Sequence, residues 1–174
     1  MTDSQPYSSA TFDRDSLYRF RLTRDWVGGG FRVCWFLLNP STATAHEDDP
    51  TIRRVIGFSR AWRFGSVVVV NLFALRSTDP SNLFTAPDPV GPDNDIIIAR
   101  AAASSCQIVV AWGTHGETHN PATGVPRDRE VLTLLAHTEI LCLGRTANGQ
   151  PRHPLYLPAT ATPFLFGVDG RRAA

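Results

Sequence analysis

The feature that most constrains the fold is an uncharged apolar run, Val33 to Leu38, which ends at Asn39-Pro40-Ser41. A continuous apolar run of this length, closed by a turn residue and a proline, is typical of a strand buried on both faces of a sheet. Pro40 has no backbone N–H to donate to a neighbouring strand, so we expect the strand to end there. Ligands of open α/β sheets bind beyond the carboxyl ends of the strands. We therefore expect any chemistry of this chain to be organised around Asn39.

Strand and helix patterns alternate along the rest of the chain. Leu17 to Trp26 alternates apolar and basic side chains, which predicts a half-exposed strand, and Gly28-Gly29-Gly30 predicts a hairpin turn into the Val33 strand. Asp49 as N-cap, with Pro50 at the first helical position, predicts a helix that ends near residues 62–65. Further buried strands are predicted at 66–71, 107–112 and 139–143, and further helices at 93–105 and 128–137.

This alternation predicts the fold class. It favours an α/β fold, a three-layer α/β/α sandwich with a mainly parallel four-stranded sheet, together with an N-terminal β-hairpin. The sequence contains no internal repeat and no linker, so we expect a single domain over residues 17–166. Residues 1–16 are predicted to be a flexible N-terminus, and residues 167–174 a loose C-terminal tail.

The charge composition limits the chemistry. The formal net charge is +1, so no global basic field argues for a nucleic-acid partner. All 17 residues of the Lys and Arg class are arginine, which excludes Schiff-base chemistry through a lysine side chain. Arginine remains able to bind phosphate through two parallel hydrogen bonds.

The sequence also gives expectations about compartment and cofactors. No apolar run approaches the roughly 20 residues of a membrane span, and the first residues lack the pattern of a signal peptide. Cys34, Cys106 and Cys142 lie in apolar surroundings without metal-binding spacing, which predicts buried, reduced thiols in a cytoplasmic protein. We expect no membrane association, no cofactor and no metal, and a monomer is compatible with the sequence.

Five motifs occur in order at the predicted strand ends and loops. Together they resemble an uncharacterised bacterial and phage family, a domain of unknown function, over about residues 18–158. This resemblance implies no activity. The motifs are Asn39-Pro40-Ser41, Asp48-Asp49-Pro50-Thr51, Asn71-Leu72-Phe73, Trp112-Gly113-Thr114-His115-Gly116 and His153-Pro154-Leu155-Tyr156.

The same layout is more distantly similar to the uracil-DNA glycosylase superfamily. Leu37 to Ser41 stands where that superfamily has the loop that supplies a water-activating Asp or Asn, although Leu37 and Ser41 replace two glycines. The resemblance implies that Asn71 reads a base edge and that residues 153–156 form the loop that enters DNA. Trp112-Gly113 stands where a third strand ends in Leu-Gly. The four cysteines of the iron–sulfur members are absent, so no cluster is implied.

The chemistry of N-glycosidic cleavage can be assigned to these residues. The reaction passes through an oxocarbenium-like cation and needs a positioned water, a nearby acceptor and a donor that stabilises the leaving base. Asn39 is a candidate to position the water, and Asp48 or Asp49 to supply a carboxylate. Asp48 is the better candidate because Asp49 is needed as the N-cap. His153 is the candidate donor, and the planar amide of Asn71 suits a base edge.

The remaining candidates are predicted substrate contacts. Arg152 is expected on a phosphate and Leu155 as a wedge that fills the space of a flipped base. His115 and His119 have zinc-helix spacing, but Gly116 and Pro121 oppose a helix, so no metal site is predicted. The full predicted set of contacts is Pro40, Ser41, Asn71, Phe73, Arg76, Trp112, Gly113, His115, Arg152, Leu155 and Tyr156.

Structural roles are the alternative for several of these residues. Asn39 and His153 could serve only as turn residues, Asn71 could tie a loop, and Trp112 and Phe73 could be core packing. The function predicted is a monofunctional glycosylase-like hydrolase acting on a modified or damaged base in DNA or on a nucleotide. Two alternatives stay open: a nucleic-acid or nucleotide-binding module without turnover, and a different hydrolase using Asp48, Asp49 and His153. The prediction for the structure is one cleft lined by Asn39, Asn71, Trp112 and His153, with Asp48 at its rim.

Overall fold

Seven strands and four helices make up the fold in a computed structural model, which describes residues 7–167. The strands are β1 (Tyr7–Phe12), β2 (Arg19–Asp25), β3 (Arg32–Leu37), β4 (Ser66–Asn71), β5 (Gln107–Val110), β6 (Ile140–Cys142) and β7 (Phe164–Leu165). The helices are α1 (Pro50–Ala61), α2 (Asn82–Thr85), α3 (Asn94–Ala103) and α4 (Arg127–Leu134). Two 3₁₀ turns follow, at Gly113–Glu117 and Pro154–Tyr156.

The strands form one mixed sheet in the order β1-β2-β4-β3-β5-β6-β7. The inner strands β4, β3, β5 and β6 run parallel to one another, whereas β1, β2 and β7 pair antiparallel with their neighbours. The prediction of a mainly parallel four-stranded sheet is therefore wrong, because three antiparallel strands extend the sheet at its edges. The α/β class is confirmed, and the three-layer arrangement stays a prediction.

The predicted hairpin between the Leu17–Trp26 strand and the Val33 strand is also wrong. Strand β3 has β4 on one side and β5 on the other, so it has no free edge for a hairpin partner. Strand β2 instead pairs antiparallel with β4, with Leu22 opposite Val69. The other edge of β2 pairs with β1, which lies in the segment 1–16 that the sequence predicts to be flexible. Residues 1–6 of that segment, and 168–174 of the predicted tail, lie outside the described residues.

Strand β2 is more buried than its alternating sequence predicts. Arg19 and Arg24 are both buried, and their guanidinium groups donate to backbone carbonyls, Arg19 to Ala43 and Arg24 to Thr23 and Thr44. Among the cysteines, Cys34 and Cys142 are buried as expected, whereas Cys106 is exposed in the turn before β5.

The core is divided between two clusters, because alternate residues of the inner strands point to opposite faces. Trp35 and Val69 pack with Val55 and Phe58 of helix α1 in one cluster. The other cluster combines sheet residues such as Phe36 and Val70 with Ile98 of α3 and Val131 of α4. The inner strands are therefore apolar on both faces, which explains why their sequences read as continuous apolar runs.

Helix α1 begins where the sequence predicts. The Asp49 side chain accepts a hydrogen bond from the Ile52 N–H at 2.8 Å, and Pro50 occupies the first turn. The helix ends at Ala61 with Trp62 as C-cap. This start places the helix N-terminus beside the carboxyl end of β3, so α1 contributes directly to the edge where ligands bind in α/β sheets. Among the described residues, none of the helices is long and apolar enough to span a membrane.

Candidate functional site

A cavity of about 320 Å³ lies at the carboxyl edge of the parallel strands. Its walls come from the residues after β3 and β5, the start of β2, the first turn of α1, and the segments 77–80 and 153–156. This volume falls in the range of small-ligand sites. Of the residues predicted from sequence, those that line the cavity are Asn39, Ser41, Asp49, Trp112, Gly113, His115, His153 and Tyr156.

Asn39 joins the end of β3 to the segment that follows β4. Its Nδ2 donates to the Ser77 carbonyl at 2.8 Å and to the Pro40 carbonyl at 3.1 Å. The Ser77 N–H in turn donates to the Pro40 carbonyl at 2.9 Å, so the two segments are held together. Because the amide nitrogen is used by the backbone, Oδ1 is the polar atom that Asn39 has left for a ligand, and it can only accept.

Asp49 combines the N-cap of α1 with a place in the cavity wall. Its Oδ1 accepts from the Ile52 N–H, while Oδ2 makes no hydrogen bond among residues 7–167. The capping contact fixes the carboxylate orientation, so the second oxygen is held in place for a ligand or a water. Asp49 therefore combines the N-cap role with a carboxylate oxygen in the cavity wall.

Asp48, by contrast, lies outside the cavity wall. It forms an ion pair with Arg24, with 2.8 Å between Arg24 Nη2 and Asp48 Oδ1. Arg24 also donates to the Thr44 carbonyl at 2.7 Å, which fixes the loop between β3 and α1. Asp48 is thereby committed to holding this loop rather than to a ligand.

His153 lies in the cavity wall just before the second 3₁₀ turn. Its Nδ1 accepts from the Leu155 N–H at 3.4 Å, which leaves Nε2 as the nitrogen that carries the proton in the neutral ring. Burial lowers the pKa of His153 below its ordinary value, and the negative charge of Asp49 opposes part of this effect. The ring is therefore neutral at neutral pH and can donate one hydrogen bond through Nε2.

Helix α1 also holds the His153 loop. The Arg54 guanidinium donates to the Leu157 carbonyl and, at 3.4 Å, to the Pro154 carbonyl. The loop ends in Tyr156, whose ring centroid lies 5.7 Å from that of His153 and whose side chain is 75% exposed. Tyr156 thus offers a flat aromatic surface at the mouth of the cavity.

Trp112 and Gly113 form the wall after β5. Trp112 is buried, and its Nε1 donates to Gln150 Oε1 at 2.6 Å, while Gln150 Nε2 donates to the buried Asp128 at 2.8 Å. Gly113 has a φ of +79°, a conformation that glycine adopts without strain. This network supports the turn that carries His115, whose exposed ring lies 5.7 Å from that of Phe84.

Asn71 and Phe73 are buried below the cavity and do not line it. Asn71 is 1% exposed, and neither polar atom of its side chain has a hydrogen-bond partner among the described residues. Phe73 packs in the cluster under α3 and α4. The expected cleft therefore contains Asn39, Trp112 and His153 but neither Asn71 nor Asp48.

The other predicted contacts lie around the cavity. Pro40 is buried, and its carbonyl takes part in the Asn39–Ser77 connection. Arg152 and Leu155 are exposed and do not line the cavity. Arg76 lines a neighbouring cavity that shares Ser41, Ser77 and Thr78 with the first one.

Nearly all of the cavity lies in a region of the chain that matches a known protein family. A family model matches residues 19–155, which include every lining residue of the cavity except Tyr156. The chain belongs to this family, described as "Protein of unknown function (DUF1643)". The predicted resemblance to a family of unknown function is thereby confirmed. No curated protein and no solved structure matches the chain, so the resemblance to the uracil-DNA glycosylase superfamily stays a prediction.

Sequence reasoning missed Arg19, the first residue of the region matched by the DUF1643 model. Arg19 lines the cavity, although it is 1% exposed. It is placed there because its backbone N–H donates to the Ala74 carbonyl at 2.9 Å, which extends the β2–β4 pairing to the cavity edge. A basic residue in an alternating strand is normally assigned to the solvent face, so no local signal distinguishes it.

Metal binding by this member of DUF1643 would need several ligating side chains close together. Within residues 7–167, no three side chains of the His, Cys, Asp and Glu types converge to hold a metal ion. His115 lies in a 3₁₀ turn that ends at Glu117, so His115 and His119 do not share a helix. The functional groups of the cavity are therefore a carboxylate, two imidazoles, a guanidinium, an amide and several hydroxyls.

Proposed function

We propose that this protein hydrolyses an N-glycosidic bond, in a nucleotide or at a modified or damaged base of DNA. The observation that carries the proposal is the meeting of Asp49, His153 and Asn39 in one cavity at the carboxyl edge of the sheet. These three groups supply a carboxylate, a neutral donor and a fixed acceptor, which are the functions that the reaction needs. A cytoplasmic location and a DNA or nucleotide partner belong to the same proposal.

The proposed reaction consumes one water molecule. The bond between the anomeric carbon and the base nitrogen breaks, and the base leaves with the electron pair. His153 Nε2–H donates a hydrogen bond to an oxygen of the leaving base and stabilises its negative charge. Asp49 Oδ2 accepts a proton from the water while the water oxygen bonds to the anomeric carbon. The proton then passes from Asp49 to the base, which restores the site.

Asp49 replaces Asp48 as the proposed water-activating carboxylate. Asp48 is held by Arg24, whereas Asp49 shares the cavity with His153 and has one oxygen that accepts no hydrogen bond from residues 7–167. Asn39 supports the same step through Oδ1, which accepts a hydrogen bond from the water or from a sugar hydroxyl. Tyr156 and His115 offer ring faces on which a base can stack.

The absence of lysine makes water the proposed nucleophile. No lysine amine can form an imine with the sugar, so the enzyme is expected to leave an intact sugar-phosphate product. A binding module without turnover is the second candidate. It is favoured by the engagement of Asn39 Nδ2 and Asp49 Oδ1 with the backbone, which shows that both residues also have structural work.

The test is a base-release assay on wild-type protein and on Asp49→Asn, with Asp48→Asn as the matched control. The substrates are nucleoside monophosphates and oligonucleotides that carry normal and modified bases. A positioned general base contributes roughly 10²–10⁴-fold in rate, so Asp49→Asn is expected to lose about that factor while Asp48→Asn retains the activity. Binding without release from any of these substrates would favour the binding module. Release that depends on Asp48 and not on Asp49 would refute the assignment.

A further inference from the structure

Three arginines are buried in the described part of the chain, and two of them have carboxylate partners. Arg24 pairs with Asp48, and Arg127 pairs with Glu130 at 2.9 Å and with Asp95. Such pairs are the usual condition for burying a guanidinium, because an uncompensated charge in the interior is strongly unfavourable.

Arg19 is the exception among them. Its Nη1 donates to the Ala43 carbonyl at 2.9 Å, whereas its Nε is buried without a partner and no carboxylate forms an ion pair with it among residues 7–167. Burial lowers the pKa of Arg19 to about 10, so the side chain is still a cation at neutral pH. Asp49 opposes this shift, and the nearby cations Arg76 and Arg24 add to it. The interior of the protein therefore holds a positive charge that lacks an ion-pair partner within residues 7–167.

Two hydroxyl groups lie beside this cation. Ser41 and Thr78 line the cavity of Arg19 and also the neighbouring cavity of Arg76, and neither hydroxyl makes a hydrogen bond with the described residues. Arg76 repeats the pattern of Arg19. Its Nη1 donates to the Ser16 carbonyl at 2.9 Å, its Nε is buried without a partner, and no carboxylate pairs with it in this part of the chain. Ser41 and Thr78 are thus shared by two cavities, each lined by an arginine that has no carboxylate partner among the described residues.

We infer that Arg19, with Ser41 and Thr78, binds the terminal phosphate of a free nucleoside monophosphate. The inference rests on the proposed function, because it names the substrate class of the same cavity. A phosphate supplies the negative charge that Arg19 lacks, and its oxygens accept from the guanidinium and from both hydroxyls. Asp49, which faces the same cavity, then acts on the sugar and not on the phosphate end.

The burial of Arg19 favours a small ligand over a polymer. A terminal phosphate can approach a guanidinium that is only 1% exposed from a single side, whereas a phosphodiester must keep its chain in solvent on both sides of the phosphate. The cavity of about 320 Å³ is also at the small end of ligand sites. The chain has a net charge of only +1, so it lacks the overall field that polymer binding uses.

The test compares the binding of nucleoside monophosphates and of the matching nucleosides by calorimetry. Wild-type protein is expected to prefer the monophosphate, and Arg19→Met is expected to lose that preference by about tenfold to hundredfold. Arg19→Lys should retain part of it. Arg24→Met is the matched control, since it changes a buried arginine of the same strand that already has a carboxylate partner. Arg100→Met, on the exposed side of α3, serves if Arg24→Met does not fold.

The outcomes separate this inference from the proposed function. Equal binding of nucleoside and monophosphate to the wild type, or a preference that survives in both Arg19 variants, overturns the phosphate site. Tighter binding of an oligonucleotide than of any monophosphate, lost in Arg19→Lys or Arg19→Met, overturns the small-ligand assignment in favour of nucleic acid. Phosphate-dependent binding without base release supports the phosphate site and refutes only the proposed hydrolase activity.

Discussion

The Asp49 carboxylate and the His153 imidazole line the same cavity, where burial lowers the pKa of His153 and the charge of Asp49 opposes part of that shift. The two groups are far apart in sequence, and α1 and the 153–157 loop bring them together. A carboxylate next to a neutral imidazole can accept a proton on one side of a substrate and donate a hydrogen bond on the other. This relationship underlies the predictions about the reaction.

The first prediction concerns pH and activity. The reaction requires the neutral form of His153, and burial lowers its pKa below 6.5. Base release should therefore persist as the pH falls past 6.5 and decline only at the lower pKa. A rate profile measured across this range with wild-type protein tests it. An acid limb at or above the ordinary histidine value would contradict the burial of this ring.

The second prediction concerns pH and stability. The pKa of His153 is lower in the folded protein than in the unfolded chain, so between these two values the unfolded chain binds more protons. The free energy of unfolding should therefore decrease as the pH falls from about 6.5 towards the folded pKa of His153. Urea unfolding of His153→Asn should show a smaller decrease in stability over that interval than wild-type protein does. Equal decreases in the two proteins would mean that other groups account for the pH dependence.

The third prediction separates Asp48 from Asp49. Asp48→Asn removes the charge that faces the buried Arg24, so it should lower the free energy of unfolding by about 1–3 kcal/mol. Its rate of base release, measured at a temperature where it is fully folded, should equal that of the wild type. A rate loss without a stability loss would assign Asp48 to the reaction.

The fourth prediction concerns Asn71, whose side-chain oxygen and nitrogen are buried without hydrogen-bond partners in the described part of the chain. Asn71→Leu removes these unsatisfied groups and should raise the free energy of unfolding by about 1 kcal/mol. Base discrimination should be unchanged, because the residue does not line the cavity. A loss of discrimination in a stably folded Asn71→Leu variant would instead support the base-edge role that the sequence suggests.

The fifth prediction concerns Gly116 in the turn after β5. A Cβ at this position would overlap the Trp112 indole and lie 2.8 Å from Gln150 Oε1. Gly116→Ala should disturb the Trp112–Gln150 hydrogen bond and lower stability by about 1–3 kcal/mol. Tryptophan fluorescence and thermal unfolding measure both effects. Gly124→Ala provides a control, because a Cβ at Gly124 would meet open space while its φ of +70° imposes the backbone strain alone.

The sequence predicts the inner strands and the start of α1 because local signals decide them. Ser66–Asn71 is a β-branched run, and Asp49-Pro50 is a capping pair, so neither depends on distant residues. The partner of β2 depends instead on which strand edges are free, and β3 has none. Contacts between residues distant in sequence also decide the roles of residues within the site. Local signals identify Asp49 as the N-cap, but they do not show which of the two carboxylates faces the cavity, because Asp48 is held by the distant Arg24.

Arg19 is the clearest example of a residue whose position depends on contacts distant in sequence. Its neighbours in sequence are those of an exposed basic residue on an alternating strand, and only the β2–β4 pairing brings it to the end of the parallel strands. His153 and Trp112 could be proposed from sequence because each follows a recognisable strand or turn pattern. The lack of an ion-pair partner for Arg19 among the described residues is a property of the assembled fold, so the sequence pattern does not reveal it.

Helix α1 carries the Asp49 cap at its start and, through Arg54, holds the carbonyls of Pro154 and Leu157 in the loop after His153. Arg19 and Asn39, in contrast, are fixed to the sheet. A small rigid-body displacement of α1 would therefore carry the carboxylate and the imidazole together, with their separation conserved, and would change their distance from the groups on the sheet. The Arg24–Asp48 ion pair ties the start of the helix back to strand β2, so this pair helps to set the distance between the groups on the helix and the groups on the sheet.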